Sequence, residues 1–560
     1  MIRIYKSEAF EQPEFQRLPK QQLLRRVLRR VPVGTVHRAL ETTDKKQAQT
    51  VLKQQGYFGN EGTVRKYGSR YWQVKKASFT TSDQAYGENL KMLTELLTNA
   101  GVRYFAIPHR TGSKVVLAVL DDEWTDMLDA VEKHDAAVRP YVGVGMKNVR
   151  RKNFRWTSAL EEPVARKAAE EQQFIEVFQM YTKKHVEKVY GRSAAIRVER
   201  WFAEDDGSYS FPGRSVRTNL IAPPAQVPAT IERYGVELPT FASAIKPHAM
   251  SFEEPVDLVY MWVDGADEVW LRKRNRVISE LTGEVFSDSI DASRFRDNGE
   301  LKYSLRSVVP HLDWVRNIFI VTDDQTPEWL NVDHPRIRMV SHREMFGDAG
   351  QLPTFNSHAI GSRLHHIDGL AEHYLVVNDD VFFGLHARPN NFFFSNGISK
   401  FFLSQATLPL TDEDVNAHEA ARRNVVDLLE DEFGKTVTNA FYHTPIPQLK
   451  SHMFELEQKY SMVFEGNLSS QLRSRNDFEV NGWLHHYHGL LTGRSLPSRI
   501  TYDYFNLADS DAVRRMKNLS ANESIIAFCV NDSPDADETN VKMAIETLRE
   551  RYPTPAEWEL

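Results

Sequence analysis

The chain has 560 residues, of which 41% are hydrophobic and 11% aromatic, so it is long enough for two or three packed domains. Its 70 basic and 76 acidic residues give a net charge of −6, and we therefore expect no nucleic-acid partner. A single cysteine excludes an intramolecular disulfide and suits a reducing compartment. No apolar run approaches the ~20 residues that span a bilayer, and the first residues lack the apolar core of a signal peptide. The sequence thus predicts a cytoplasmic protein.

The N-terminal part of the chain is predicted to be an accessory region, residues 1–222. Residues 23–31, LLRRVLRRV, predict a basic amphipathic helix with leucines on one face and arginines mostly on the other. Such a helix would either rest on the inner face of the cell membrane or pack on its own domain. A small α+β unit follows from about residue 89, and residues 223–255, with six prolines, predict a linker.

The rest of the chain is predicted to be a catalytic domain, residues 256–545, with a C-terminal tail, residues 546–560. Apolar runs typical of strands, at 258–262, 318–321, 374–377 and 525–530, alternate with helical patterns. This alternation indicates an α/β sheet of the Rossmann-like type, in which ligands bind beyond the carboxyl ends of the strands. Acidic residues follow these runs directly, so we expect them to face one cleft.

Several residues at these strand ends and loops are candidates for chemistry. Asp379 and Asp380 follow the strand at 374–377, and paired carboxylates there suit a divalent metal beside a phosphate-bearing ligand. Asp264, Gly265 and Asp267 follow the first strand, where they are candidates for nucleotide contact, although Asp-Gly is also an ordinary turn sequence. The remaining candidates by position are Arg296, which could reach a phosphate, Asn356 and Ser357 in a loop before a helix, Asn378, Asn531 and Asp532.

Four sequence blocks resemble the Stealth family of sugar-phosphate transferases in family order. They are DLVYMWVDGAD at 257–267, the stretch at 294–384 that closes on YLVVNDDVFFG, NAFYHTPIPQLKSHMFELEQKY at 439–460 and FCVNDS at 528–533. The family includes bacterial capsule and exopolysaccharide polymerases and the catalytic subunit of lysosomal GlcNAc-1-phosphotransferase. With their connections, the blocks cover about half of the chain. The resemblance implies a nucleotide-sugar-binding, GT-A-like catalytic domain beside the smaller N-terminal α+β domain.

The resemblance also implies roles for particular residues. Asp379, Asp380 and Asp532 would hold Mg²⁺ or Mn²⁺, and Phe355–Ser357 matches a family element of the donor pocket. The third block resembles the family segment that supplies an essential histidine, and His452 is the candidate general base, with His443 as its competitor. Arg473 would stabilise charge on the transferring phosphoryl group, although Arg475 could take that role instead.

The expected activity is that of an exopolysaccharide or capsule phosphotransferase. It would move a sugar-1-phosphate from a nucleotide-sugar donor to a hydroxyl of a glycan acceptor and release a nucleoside monophosphate. The alternatives are a conventional metal-dependent glycosyltransferase, which releases a nucleoside diphosphate, and a carbohydrate-binding protein with a degenerate site. His485, His486 and His488 lie together without the usual zinc spacing and predict a packed or acceptor-facing helix. The donor base and sugar, the acceptor and the oligomeric state stay open.

Overall fold

The computed structural model describes residues 62–67, 70–77, 82–112, 114–133, 140–144, 155–157, 163–183, 189–280, 295–409, 416–519, 525–533 and 535–560. The predicted basic amphipathic helix at residues 23–31 lies outside these described residues. The chain divides into two compact units, and Ser243 is the first residue of the long C-terminal segment that makes up most of the second. No helix in the described ranges is long and apolar enough to cross a membrane.

The first unit is built on two β-sheets. One has the strand order β1-β2-β8-β9, and the other has the order β12-β11-β10-β7-β5-β6, with β4 pairing to both β10 and β3. Their strands are β1 (Gly62–Tyr67), β2 (Arg70–Ala77), β3 (Tyr104–Pro108), β4 (Val115–Leu120), β5 (Tyr141–Val144), β6 (Arg155–Thr157), β7 (Phe174–Phe178), β8 (Tyr181–Lys183), β9 (Val189–Tyr190), β10 (Ile196–Ala203), β11 (Tyr209–Ser210) and β12 (Leu220–Ile221). The helices of this part of the chain are α1 (Ser82–Asn99), α2 (Trp124–Glu132) and α3 (Pro163–Glu170).

The boundary between the units differs from the predicted linker at 223–255. Within that stretch, β13 (Pro228–Arg233) and β14 (Val236–Phe241) form an antiparallel hairpin. The Thr240 hydroxyl donates a 2.6 Å hydrogen bond to the carbonyl of Ala106, and the stretch that ends at Ala242 belongs to the first unit. The prolines that suggested a linker are compatible with this hairpin, because each of its two strands is an edge strand and edge strands tolerate proline.

The second unit contains the predicted α/β sheet. Its five strands run in the order β17-β16-β15-β18-β23, with the first four parallel and β23 antiparallel at one edge. They are β15 (Val256–Met261), β16 (Ile318–Thr322), β17 (Ile337–Ser341), β18 (His373–Asn378) and β23 (Ile446–Leu449). The central strands are almost wholly buried, as expected for parallel strands covered on both faces. The predicted α/β fold class is confirmed.

Helices and smaller sheets surround this sheet. A three-stranded sheet has the order β19-β26-β25, and β20 pairs with β24 and β21 with β22. These strands are β19 (Val381–Phe383), β20 (Ser399–Phe401), β21 (Leu403–Thr407), β22 (Asn439–Phe441), β24 (Ser495–Pro497), β25 (Tyr502–Asn506) and β26 (Ala527–Asn531). The helices are α4 (Glu268–Glu280), α5 (Glu300–His311), α6 (His342–Phe346), α7 (Ser357–Gly361), α8 (Pro389–Phe392), α9 (Ala417–Phe433), α10 (Lys450–Lys459), α11 (Ser461–Ser469), α12 (His485–Thr492), α13 (Ala512–Leu519) and α14 (Glu538–Arg551).

The end of the chain is part of this unit's core, which differs from the predicted C-terminal tail at 546–560. Helix α14 runs across the predicted boundary, and the Trp558 side chain is fully buried in the main apolar cluster. Arg306 binds both carboxylate oxygens of Glu559, at 2.6 and 2.7 Å. Burial of a tryptophan and a bidentate ion pair fix the chain end to α5, a tertiary contact that the local sequence does not reveal.

A candidate active site at the carboxyl ends of the parallel strands

The described residues enclose a cavity of about 580 Å³ at the carboxyl-end edge of the parallel sheet. Met261, Val321 and Asn378, at or next to the carboxyl ends of β15, β16 and β18, all line it. Parallel strands bring their carboxyl ends to one edge, so polar residues distant in sequence meet there. Of the acid pair that follows β16, Asp323 lines the cavity and forms a 3.0 Å ion pair with Lys273.

The Asn-Asp-Asp corner after β18 lies in this cleft as the sequence predicts. Asn378, Asp379 and Asp380 all line the cavity. Burial, and next the charges of Asp380 and Glu300, raise the pKa of Asp379 well above its usual value. Glu300 also lines the cavity, and burial raises the pKa of its carboxyl group to about 7. Several carboxyl groups close together in a buried environment of low dielectric constant favour the binding of a positively charged ligand.

Asn531 and Asp532 approach the cleft from the three-stranded sheet. Val530 precedes them on β26. This strand reaches the Asn-Asp-Asp corner because the backbone N–H of Val530 donates a 2.9 Å hydrogen bond to the carbonyl of Asp380. Asp532 Oδ2 forms a 3.2 Å ion pair with Nη1 of Arg296, which also lines the cavity. The fourth block thus supplies a carboxylate beside the corner, as predicted, with a guanidinium group next to it.

Arg473, rather than Arg475, reaches the cavity. Its Nη2 donates a 2.6 Å hydrogen bond to the hydroxyl of Ser357, and both residues line the cleft. Arg475 is exposed and is not a lining residue. Asn356 does not line the cavity and is fully buried, which corrects its predicted role as a substrate ligand. Its Nδ2 donates a 2.8 Å hydrogen bond to Asp477, so it anchors the loop that carries Arg473.

The histidine of the third block that faces the cleft is His443. It lies between β22 and β23, where its Nε2 accepts a 2.6 Å hydrogen bond from Nδ2 of Asn378 and lies 3.8 Å from Oδ1 of Asp380. Its side chain is 39% exposed, so a proton acceptor on this ring is accessible from the cavity that it lines. Of the two histidines of this block, His443 is the one that lines the cavity.

His452 lies elsewhere, and its predicted position at the reacting centre is corrected. Its side chain is fully buried on α10, and its Nε2 lies 3.0 Å from Nδ1 of His488 on α12. Its ring centroid is 4.7 Å from that of His485. Burial, and next the neighbouring His485 and His488, lower the pKa of His452 far below its usual value. A neutral, enclosed imidazole with histidine neighbours is a packing element. The run at 485–488, predicted as a packed or acceptor-facing helix, is buried, and His486 also lines the cavity.

Three candidates after β15 have local structural roles instead of cleft contacts. Oδ1 of Asp264 accepts a 2.8 Å hydrogen bond from the N–H of Ala266, which makes a turn. Oδ1 of Asp267 accepts hydrogen bonds from two backbone N–H groups at the start of α4, and that from Trp270 most strongly lowers its pKa. A Cβ on Gly265 would lie 2.2 Å from the carbonyl oxygen of Phe295, so this glycine permits a close chain crossing. These three predicted substrate ligands do not line the cavity.

Apart from Phe355, which belongs to the family element at 355–357, several cleft residues carried no clear sequence signal. The Trp270 ring packs against those of Phe295 and Phe355, with centroids 5.1 and 5.2 Å away, and the three rings form an aromatic wall of the cavity. His418 and Arg422 reach it from α9, outside the four family blocks. On the sequence this helix has an ordinary amphipathic pattern, so only the packing of α9 against the cleft reveals them.

The fold and the cleft define an α/β protein with a strand-end site suited to an anionic ligand held with a cation. Family models for conserved region 1 and conserved region 2 of Stealth proteins match residues 254–282 and 294–401. The exopolysaccharide phosphotransferase CpsY of Mycobacterium tuberculosis is 33% identical over 377 residues, which are 66% of this chain and 70% of that protein. The chain belongs to the Stealth family, as the four blocks predict.

Other relatives are longer than the matched region. An exopolysaccharide phosphotransferase of Streptomyces coelicolor is 40% identical over 329 residues, 58% of this chain and 35% of that protein. Across four such proteins of this organism, the chain spans 35%, 52%, 51% and 60% of their length. The crystal structure of the galactosyltransferase LgtC with donor and acceptor sugar analogues aligns to 54% of this chain and 98% of that chain, at 9% identity and a TM-score of 0.29.

Proposed function

We propose that this protein transfers a sugar-1-phosphate from a nucleotide-activated sugar to a hydroxyl of a glycan acceptor and releases a nucleoside monophosphate. Membership of the Stealth family and relatives named as exopolysaccharide phosphotransferases support this activity. The observation that carries it is the convergence of Asp379, Asp380 and Asp532 with Arg296 and Arg473 on one cleft. Carboxylates that hold a cation and arginines that bind phosphate oxygens are the groups that a diphosphate donor requires.

The carboxylates fit a hard divalent cation such as Mg²⁺ or Mn²⁺. Oδ1 of Asp380 and Oδ1 of Asp532 are buried, and neither accepts a hydrogen bond from the described residues. Buried oxygens without a donor are costly in isolation, whereas hard cations prefer oxygen ligands. Asp379, with its raised pKa, is the third carboxylate of the set. When bound, the cation supplies charge neutralisation of the diphosphate.

His443 is the proposed general base. Its Nε2 accepts a hydrogen bond from the amide of Asn378, so this nitrogen is unprotonated, and the acceptor hydroxyl would replace the amide at its single lone pair. The acceptor hydroxyl oxygen attacks the phosphorus nearest the sugar, its proton moves to Nε2 of His443, and the bond between that phosphorus and the nucleotide oxygen breaks. The leaving group is a nucleoside monophosphate, and the sugar–phosphate bond is retained.

Arg473 is the proposed partner of the transferring phosphoryl group. Its guanidinium group is held by Ser357, and the loop behind it is held by the hydrogen bond between Asn356 and Asp477. A guanidinium group fixed in this way can bind two phosphate oxygens without reorganising during the reaction. The aromatic wall of Trp270, Phe295 and Phe355 offers a surface on which the donor base can stack.

The test is product analysis with UDP-, GDP- and CDP-activated sugars, with and without Mg²⁺ or Mn²⁺, and a glycan acceptor. Release of nucleoside monophosphate that depends on the cation supports the proposal. Release of nucleoside diphosphate would instead identify a conventional glycosyltransferase, and tight glycan binding without turnover would identify a binding protein. Asp380→Asn is the matched control, because it removes one cleft charge at nearly constant volume.

The cytoplasmic location predicted from the sequence remains a proposal, which the single cysteine supports. A peripheral membrane contact through residues 23–31 is likewise a proposal. Its test is binding to anionic vesicles at low salt. The full chain should be retained, and a variant with these arginines replaced by glutamine should not.

A further inference from the structure

Three different kinds of ligand atom meet at one side of the cleft. An oxygen of Asp380, a ring nitrogen of His443 and Sγ of Cys529 lie within 4.8 Å of one another. Sγ of Cys529 donates a 3.2 Å hydrogen bond to Oδ2 of Asp380, while Nε2 of His443 lies 3.8 Å from Oδ1 of the same carboxylate. The two edges of the carboxylate therefore face two further metal-binding groups.

The fold fixes this arrangement through strand pairing. Val381 of β19 pairs with Cys529 of β26 in an antiparallel register, which sets the thiol next to the residue before Val381, Asp380. Cys529 is completely buried beneath the corner, whereas Asp380 and His443 line the cavity. A cation that enters from the cavity would meet Asp380 and His443 first and the sulfur at the floor of the site.

The three groups are close enough to hold one ion after a small rotation of the Asp380 carboxylate. Zinc binds sulfur at about 2.3 Å and nitrogen or oxygen at about 2.0–2.2 Å, so neighbouring ligands of a tetrahedral site lie roughly 3.4–3.6 Å apart. The separation of 3.2 Å joins Sγ to Oδ2 of Asp380 and that of 3.8 Å joins Nε2 of His443 to Oδ1, so rotation of the carboxylate would place one oxygen near both groups at about this spacing. Thiolate and imidazole ligands favour Zn²⁺ and Cd²⁺ over Mg²⁺, which takes oxygen ligands.

We propose that Asp380, His443 and Cys529 form a second cation site, for thiophilic divalent ions such as Zn²⁺ and Cd²⁺. Its fourth coordination position faces the cavity. Binding replaces the proton of the Cys529 thiol by the metal–sulfur bond, and this proton passes to the solvent. The site shares Asp380 with the hard-cation site and His443 with the proposed base, so the ion inhibits transfer. Only this inhibition rests on the proposed function, because the binding itself requires no turnover.

A second cluster of possible ligands lies elsewhere in the same unit. His365, His366 and Glu457 also bring three ligand atoms within 4.8 Å. There, however, Nη1 of Arg363 donates a 2.8 Å hydrogen bond to Oε1 of Glu457 and lies 2.9 Å from Nε2 of His366. A guanidinium cation already neutralises this carboxylate and opposes a metal ion, so this cluster serves as a control.

The binding test is titration of the full-length, reduced protein with Cd²⁺, followed by ultraviolet absorption. Cys529 is the single cysteine of the chain, so a thiolate-to-metal charge-transfer band can arise from no other residue. We expect a saturable band at about one Cd²⁺ per chain, with release of about one proton in weakly buffered solution. Cys529→Ser should lack the band, Glu457→Gln should retain it, and His443→Gln should weaken the affinity at least ~10-fold.

Any other result of this titration overturns the assignment. No saturable band in the folded wild-type protein rejects the site, and so does a band unchanged in affinity in His443→Gln. His443 is partly exposed, so this variant tests the proposal even where Cys529→Ser fails to fold. If activity is found, Zn²⁺ should inhibit it and excess Mg²⁺ should relieve the inhibition. Absence of activity with an intact band would reject the proposed function and leave the cation site standing.

Discussion

Two groups of histidines in the second unit have opposite environments. His443 is partly exposed beside Asp380 and has a polar amide as its hydrogen-bond donor. His452, His485, His486 and His488 are all buried, and the ring of His452 lies against those of His485 and His488. A proton acceptor in a reaction must reach its substrate and change its charge at moderate cost. The first environment permits this, and the second opposes it because it disfavours an imidazolium ion.

The largest expected effect is that of His443→Ala. Loss of a general base typically lowers turnover by about 10²–10⁴-fold, and we expect a value in this range with nearly unchanged donor affinity. Turnover and calorimetric donor binding measure the two quantities separately. His488→Ala is the matched control from the buried group, and an equal loss of turnover per folded molecule in that variant would contradict the comparison.

Asp380→Asn should lower turnover by ~100-fold or more, because it removes a charge from the proposed cation site. The thermal midpoint should stay close to that of the wild type, since the amide preserves the size of the side chain. Turnover as a function of Mg²⁺ concentration is the measurement. Normal turnover with unchanged dependence on Mg²⁺ would remove Asp380 from the site.

Arg473→Lys should reduce turnover by about 100-fold, similar to the loss of one donor to a developing charge. Lysine keeps the charge but lacks the planar fork that binds two phosphate oxygens, and it loses the bond to Ser357. The exposed neighbour provides the control, because Arg475→Lys should change turnover less than about twofold by the same reasoning. Reversed sensitivities would mean that the loop is oriented differently in the working enzyme.

His452→Ala should affect stability instead of turnover. It removes the partner of His488 Nδ1 and leaves a cavity between α10 and α12, which together should cost about 1–3 kcal/mol of unfolding free energy. Urea unfolding measures this loss, and turnover per folded molecule should stay within about threefold of the wild type. A large loss of turnover without a loss of stability would return His452 to a catalytic role.

The smallest and most gradual effect is the pH dependence of stability. Burial lowers the pKa of His486 to about 3 and lowers those of His452 and His485 as well. The unfolded chain then binds more protons than the folded one below the ordinary histidine pKa of about 6.5. Stability from these groups is fully present above that pH and is lost as the pH falls from about 6.5 towards 3. The urea midpoint should fall between pH 7 and pH 5, and it should fall less steeply in His452→Gln. A midpoint that does not change with pH would contradict the inference that these buried histidines are neutral in the folded protein.

Much of the fold follows from local sequence patterns. The apolar runs that became β15, β16, β18 and β26 are buried strands, and burial on both faces requires such continuous apolar runs. Acids placed immediately after a strand lie at its carboxyl end whatever the rest of the chain does. Asp379, Asp380 and Asp532 could therefore be predicted as cleft residues, and the four blocks identified the family.

Other residues depended on contacts between distant segments. Asp264 and Asp267 follow a strand too, but local backbone N–H groups bind their side chains first. The two histidines of the third block are nine positions apart, and the sequence interpretation favoured the one that follows β23, which does not line the cleft. His443 precedes this strand, near the end of β18 that carries the acids, because β23 runs antiparallel to β18. His452 follows it at the opposite end, so strand direction, a property of the sheet, decided which of them faces the cleft.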